Sequence, residues 1–81
     1  MRLLFRFLRK FNDDNPTRSE VSYCLDIITE KDIDINIQIF SACSKFSQGH
    51  TLEAIGVTFN VTRERIRQYT HKLCRVAYNG Q

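Results

Sequence analysis

The chain has 81 residues, a net charge of +3 and 42% hydrophobic residues, which bounds it to one small folded domain and excludes wholesale disorder. A domain of this size buries only a modest share of its surface and has little room for a substrate cavity of about 300 Å³ or more. No apolar run is long enough to span a bilayer, and Arg6 and Arg9 interrupt the N-terminal apolar stretch, so neither a membrane span nor a signal peptide is expected.

Charge is unevenly spread. Residues 1–11 carry Arg2, Arg6, Arg9 and Lys10 without an acid, and residues 12–36 carry seven acids against Arg18 and Lys31. Residues 61–81 carry Arg63, Arg65, Arg67, Lys72 and Arg75 against Glu64. Two basic ends flank an acidic middle, and a clustered basic face is the footprint of a polyanion partner.

Residues 1–11 read as a short amphipathic helix, with the four cations on one arc and Leu3, Leu4, Phe5, Phe7, Leu8 and Phe11 on the rest. Packing of that apolar arc onto the remaining chain is the preferred outcome, with docking on a protein partner or a membrane surface as alternatives. Residues 12–16 form a turn by composition. Pro16 with Thr17 or Ser19 opens a second helix, in which Val21, Cys24, Leu25 and Ile28 recur at helical spacing; it ends between residues 29 and 32. Ile33, Ile35, Ile37 and Ile39 alternate with polar residues, a strand signal, yet Ile35, Ile39, Cys43 and Phe46 fit one helical face. A lone strand has no partner, so a helix over residues 35–46 is predicted, stopped by Gly49. The three cysteines, Cys24, Cys43 and Cys74, are odd in number and distant in sequence. They fit free thiols in a reducing cytosol, and no Cys-x-x-Cys spacing points to a metal.

Residues 51–78 carry the most informative pattern. Thr51 is a suitable N-cap for a short helix, with Leu52, Ile55 and Phe59 on one face. Gly56 stands where a second helix must cross closely, and Asn60 suits a left-handed turn. Val61 fills an apolar turn position, and Thr62 caps a helix predicted over residues 63–77. Together these make a helix-turn-helix. On the second helix Ile66, Tyr69, Thr70, Leu73 and Ala77 point to the core, while Arg63, Glu64, Arg67, Gln68, His71 and Lys72 share the opposite arc. That arc suits base edges. Arginine can pair with guanine, glutamine with adenine, and glutamate can accept from cytosine. Lys72, His71 and Arg75 suit phosphates.

The run from Thr51 to Gln68, with Val61-Thr62-Arg63-Glu64-Arg65-Ile66-Arg67-Gln68 as its most distinctive part, resembles region 4 of the primary sigma factors of bacterial RNA polymerase. The resemblance covers residues 51–76. In that family this helix-turn-helix recognises the −35 promoter element. The resemblance implies that Arg63, Glu64 and Gln68 face bases, that Arg67 and Lys72 support base or phosphate contact, and that Thr51, Leu52 and Glu53 meet the DNA backbone. Ala54 departs from the family pattern, which has an acid completing a capping box with the threonine. The chain has no room for the sigma domain that melts the −10 element. By analogy, a stand-alone module of this kind points to a regulator carried by a phage or another mobile element.

The sequence therefore predicts an all-α domain of four to five helices with a C-terminal helix-turn-helix. Residues 1–50 form an N-terminal helical segment and residues 51–78 the sigma region 4-like unit, within one compact domain. Its expected role is that of a cytoplasmic DNA-binding transcription regulator. The expected partner is double-stranded DNA, with the flap of the polymerase β subunit or a sigma factor as a further partner. The alternative is a protein-interaction module that binds polymerase or a sigma factor as inhibitor or adaptor without reading DNA. No phosphate loop, metal spacing or nucleophile–base set is present, so an enzyme, a cofactor and a small-molecule substrate are not expected.

Overall fold

The computed structural model describes residues 15–80, and the amphipathic helix predicted over residues 1–11 lies outside them. The described residues contain four α-helices and no strand: α1 (Arg18–Glu30), α2 (Ile37–Ser47), α3 (Leu52–Phe59) and α4 (Arg63–Asn79).

Each helix starts where a side chain satisfies backbone N–H groups that have no partner within the helix. Thr17 Oγ1 accepts from Glu20 N at 3.1 Å, and Glu20 Oε1 accepts from Thr17 N at 2.7 Å, a complete capping box. Pro16 and Val21 flank that box and are both buried. Asn36 Oδ1 accepts from Gln38 N at 2.8 Å and opens α2. Thr51 and Thr62 open α3 and α4, accepting from Ala54 N and Arg65 N at 3.1 Å each. At Thr51 the box is one-sided, because Ala54 has no carboxylate to return the bond.

The isoleucine alternation has a simple origin. Asp32 takes a left-handed conformation, φ 53°, and Ile33 N donates to Ile28 O at 3.0 Å, which closes α1 in a Schellman arrangement. Ile33 and Ile35 then lean on the core while Asp34 stays exposed. Helix α2 begins only at Ile37, two residues later than the periodicity predicts, because Asn36 supplies the cap. Its far end closes at Gly49, φ 111°. There Arg18 of α1 donates to the carbonyls of Phe46 and His50, the latter at 2.8 Å, and lies 4.4 Å above the Phe46 ring. One guanidinium thus adds a second donor to the Phe46 carbonyl, which already accepts from Gly49 N, binds the loop carbonyl of His50, and adds a cation–π contact.

Two apolar clusters hold the helices together. The larger joins Val21, Cys24, Leu25, Ile27 and Ile28 of α1, Cys43 of α2, and Leu73, Cys74 and Ala77 of α4. The smaller joins Ala42, Ile55 and Ile66, with Leu52, Phe59 and Val61 around them. Phe46 and Tyr69 touch both. The predicted inward residues of α4 are buried or half-buried as expected, and Cys74 joins them.

The connection between α3 and α4 is tight. Asn60 is left-handed, φ 59° and ψ 45°, and Val61 N donates to Gly56 O at 2.9 Å. A Cβ on Gly56 would stand 2.6 Å from the Val61 carbonyl oxygen, so only glycine permits this approach.

Two outcomes follow from this packing. Gly56→Ala should lower stability by about 1–3 kcal/mol, despite alanine's better helix propensity; a urea midpoint equal to or above that of the parent would contradict the close crossing. All three cysteines are free and buried, and burial, with Cys24 nearby, pushes the Cys43 thiol up to about 12. Alkylation of the native protein near pH ~8 should therefore proceed only through unfolding, as followed by mass spectrometry with and without denaturant.

Candidate functional site

The outer face of α4 carries Arg63, Glu64, Arg65, Arg67, Lys72 and Arg75. Its inner stripe is locked into both clusters, so residues on the opposite arc must face outward. Arg63, Arg65, Gln68, Lys72 and Arg75 are exposed, and Arg67 and His71 are half-buried at the flank. A shallow groove along this face is lined by Arg65, Arg67, Gln68, His71, Lys72 and Arg75, with Ile39 and Tyr69 as its apolar edge. Four of these residues are cationic and none is acidic. Tyr69 OH sits 3.4 Å from Gln38 Nε2, which ties that edge to α2.

The flank nearest α1 is a hydrogen-bonded cluster. Arg67 Nε donates to Glu64 Oε1 at 3.0 Å, and its Nη2 pairs with Glu64 Oε2, a two-point fork within one helical turn. Arg67 Nη1 donates to Asn15 Oδ1 at 3.0 Å, and His71 Nε2 lies 2.8 Å from the same oxygen. The hydrogen bond to Arg67 is the main cause that holds the Glu64 carboxyl below its ordinary 4.5, and the same bond raises Arg67. His71 is lowered from 6.5, first by burial, then by the charges of Arg67 and Arg75, with Glu64 opposing.

The predicted base-reading residues therefore fall into different surroundings. Gln68 lines the groove. Arg63 lies beside the turn instead, in a second concavity with Glu53, Val57, Asn60 and Val61. Glu64 and Arg67 occupy one another, and their side chains are 56% and 37% exposed. Of the residues predicted for the DNA backbone, Lys72, His71 and Arg75 line the groove. Thr51 and Glu53 are exposed at the start of α3, where Thr51 caps the helix. Leu52 turns its side chain to the smaller cluster, leaving only its backbone N–H for a partner.

Two contributors escaped the sequence reading. Arg65 lines the groove beside Gln68 and Lys72; its place on the helical wheel, next to Lys72, was the available signal. Asn15 had no local signal, because its partners lie more than fifty residues away.

Among the described residues no group of three or more His, Cys, Asp or Glu is placed to hold a metal ion. No helix among them is long and apolar enough to cross a membrane. Comparison with protein-family models, curated proteins and solved structures gives no match.

The Glu64–Arg67 fork generates a direct test. In an NMR pH titration the Glu64 carboxyl should titrate below 4.5. In Arg67→Gln it should return toward that ordinary value, since the hydrogen bond and the charge go together. An unchanged midpoint would mean that the fork does not persist in solution.

Proposed function

We propose that the chain is a DNA-binding transcription regulator in which α3, the turn and α4 form a helix-turn-helix and α4 is the recognition helix. The observation that carries this reading is the exposed cationic groove of α4, with a donor–acceptor side chain, Gln68, between Arg65 and Lys72. The tight Gly56–Asn60–Val61 turn supports it, because it sets the short, fixed crossing that such a unit needs to present one helix to the major groove. The likeness of residues 51–76 to sigma region 4 supports a −35-like promoter element as the target, with RNA polymerase as a further partner.

Roles divide by position. Gln68 and Arg63 read base edges, each worth about 1–3 kcal/mol of discrimination. Lys72, Arg65 and Arg75 contact phosphates and make affinity fall with salt. Thr51 and Glu53 sit at the N-terminus of α3, whose free N–H groups favour a phosphate oxygen. Arg67 is engaged by Glu64 and Asn15, so it holds the recognition helix to the chain ahead of α1 and exchanges partners if it contacts DNA.

One observation favours a protein-binding role on the same scaffold. Val57 is 79% exposed on α3 and Ile37 is 76% exposed on α2, apolar side chains that DNA contact alone does not call for. In that second reading the chain docks on polymerase or a sigma factor as an inhibitor or adaptor.

Fluorescence anisotropy with a −35-type duplex and a scrambled duplex, over a salt series, separates the readings. Arg63→Ala and Gln68→Ala should each reduce the preference between the two duplexes. Lys72→Ala should weaken both alike and reduce the salt slope by about one. Equal loss on both duplexes for all three variants would exclude base reading by α4. No preference in the parent, with retention on immobilised polymerase, would favour the second reading.

A further inference from the structure

We propose that the anion seated against α4 is held in part by His71 as a doubly protonated imidazolium, which takes one proton from solvent as the anion docks. The inference rests on the DNA reading and adds a proton to it. Its basis is the hydrogen-bond logic at Asn15. A guanidinium has only donors, so the Asn15 atom 3.0 Å from Arg67 Nη1 is the carbonyl oxygen. His71 Nε2, 2.8 Å from that oxygen, must therefore donate to it. The neutral ring then carries its proton on Nε2 and its lone pair on Nδ1. Arg67 Nη1, 3.5 Å from Nε2, meets another donor, so it presents unfavourable charge and not a bond.

The free protein resists a second proton on this ring. Burial comes first among the causes, then Arg67 and Arg75, and Glu64 alone opposes them. Among the described residues these charges all belong to α4, and Asn15, the neighbour of His71 ahead of α1, is neutral. A phosphate-bearing strand in the groove reverses the balance. It pairs with Arg67 and Arg75 and brings negative charge to a ring that lines the same groove. The second proton goes to Nδ1, and the ring then donates to Asn15 from one nitrogen and to a phosphate oxygen from the other. The histidine pKa is higher in the complex than in the free protein. Affinity therefore rises as pH falls through the interval between the two values and is flat outside it, with each unit of separation worth about tenfold.

The experiment measures affinity of the full chain for the −35-type duplex at fixed salt between about pH 5.5 and 8, where histidines titrate and most carboxylates do not. The parent should bind about tenfold more tightly at the acid end. His71→Gln, which keeps an N–H for Asn15, should lose most of that gain. His50→Gln, which alters the histidine of the α2–α3 loop, should keep it. NMR titration of His71 in the parent should show a midpoint below 6.5 without duplex and a higher one with it, independent of any variant's folding. Calorimetry in two buffers of different ionisation enthalpy should show proton uptake near the midpoint. A pH slope unchanged in His71→Gln, or a His71 midpoint that does not rise on adding duplex, overturns the inference while leaving DNA binding intact. No duplex binding at any pH overturns the DNA reading and this inference together.

Discussion

Everything in this fold depends on the burial of one stripe of α4 in two clusters at once. Ile66 closes the smaller cluster with Ala42 and Ile55, and Leu73, Cys74 and Ala77 close the larger one with α1 and α2. Ile66 and Leu73 are fully buried, each worth about 1.5–3 kcal/mol of transfer free energy. A helix anchored at both ends of its inner face cannot roll. The outward direction of Arg65, Gln68, Lys72 and Arg75 is therefore a consequence of packing, not of any property of those side chains. Phe46 and Tyr69 touch both clusters, so the α3–turn–α4 unit is continuous with the helices before it.

Polar contacts then refine what packing has oriented. The Glu64–Arg67 fork is solvent-accessible, and exposed pairs of this kind add little to stability and weaken with salt. Its consequence is positional. It joins with Asn15 and His71 to fix one flank of α4 against the chain entering α1. An anion approaching that flank meets Arg67 already engaged and a His71 whose second proton is disfavoured by burial and by Arg67 and Arg75, whereas the opposite flank offers Arg65 and Lys72 as exposed side chains. The surface is thus graded from committed to available groups across one helix width. That grading suits a partner read by a few residues and gripped by the rest.

Much of the architecture was legible in the chain because its chemistry is local. Thr17, Thr51 and Thr62 cap helices through bonds to residues three positions on. Gly56 and Asn60 follow from the sterics of a close crossing and a left-handed turn. The inner and outer faces of α4 follow from a period of 3.6 residues. The start of α2 was less legible, since the alternating isoleucines satisfied two periods over the same residues. There the side chain of Asn36, and not hydrophobic spacing, decided where the helix begins.

Sequence by itself determined the caps at Thr51 and Thr62, the turn between them and which arc of α4 is polar, because those properties depend on neighbours within one or two turns. Tertiary structure alone decided that Arg18 closes the far end of α2, that three cysteines distant in sequence meet in one core, and that Asn15 joins Arg67 and His71 on the flank of the groove. Those contacts join residues tens of positions apart, and only the packing of α1, α2 and α4 brings them within reach.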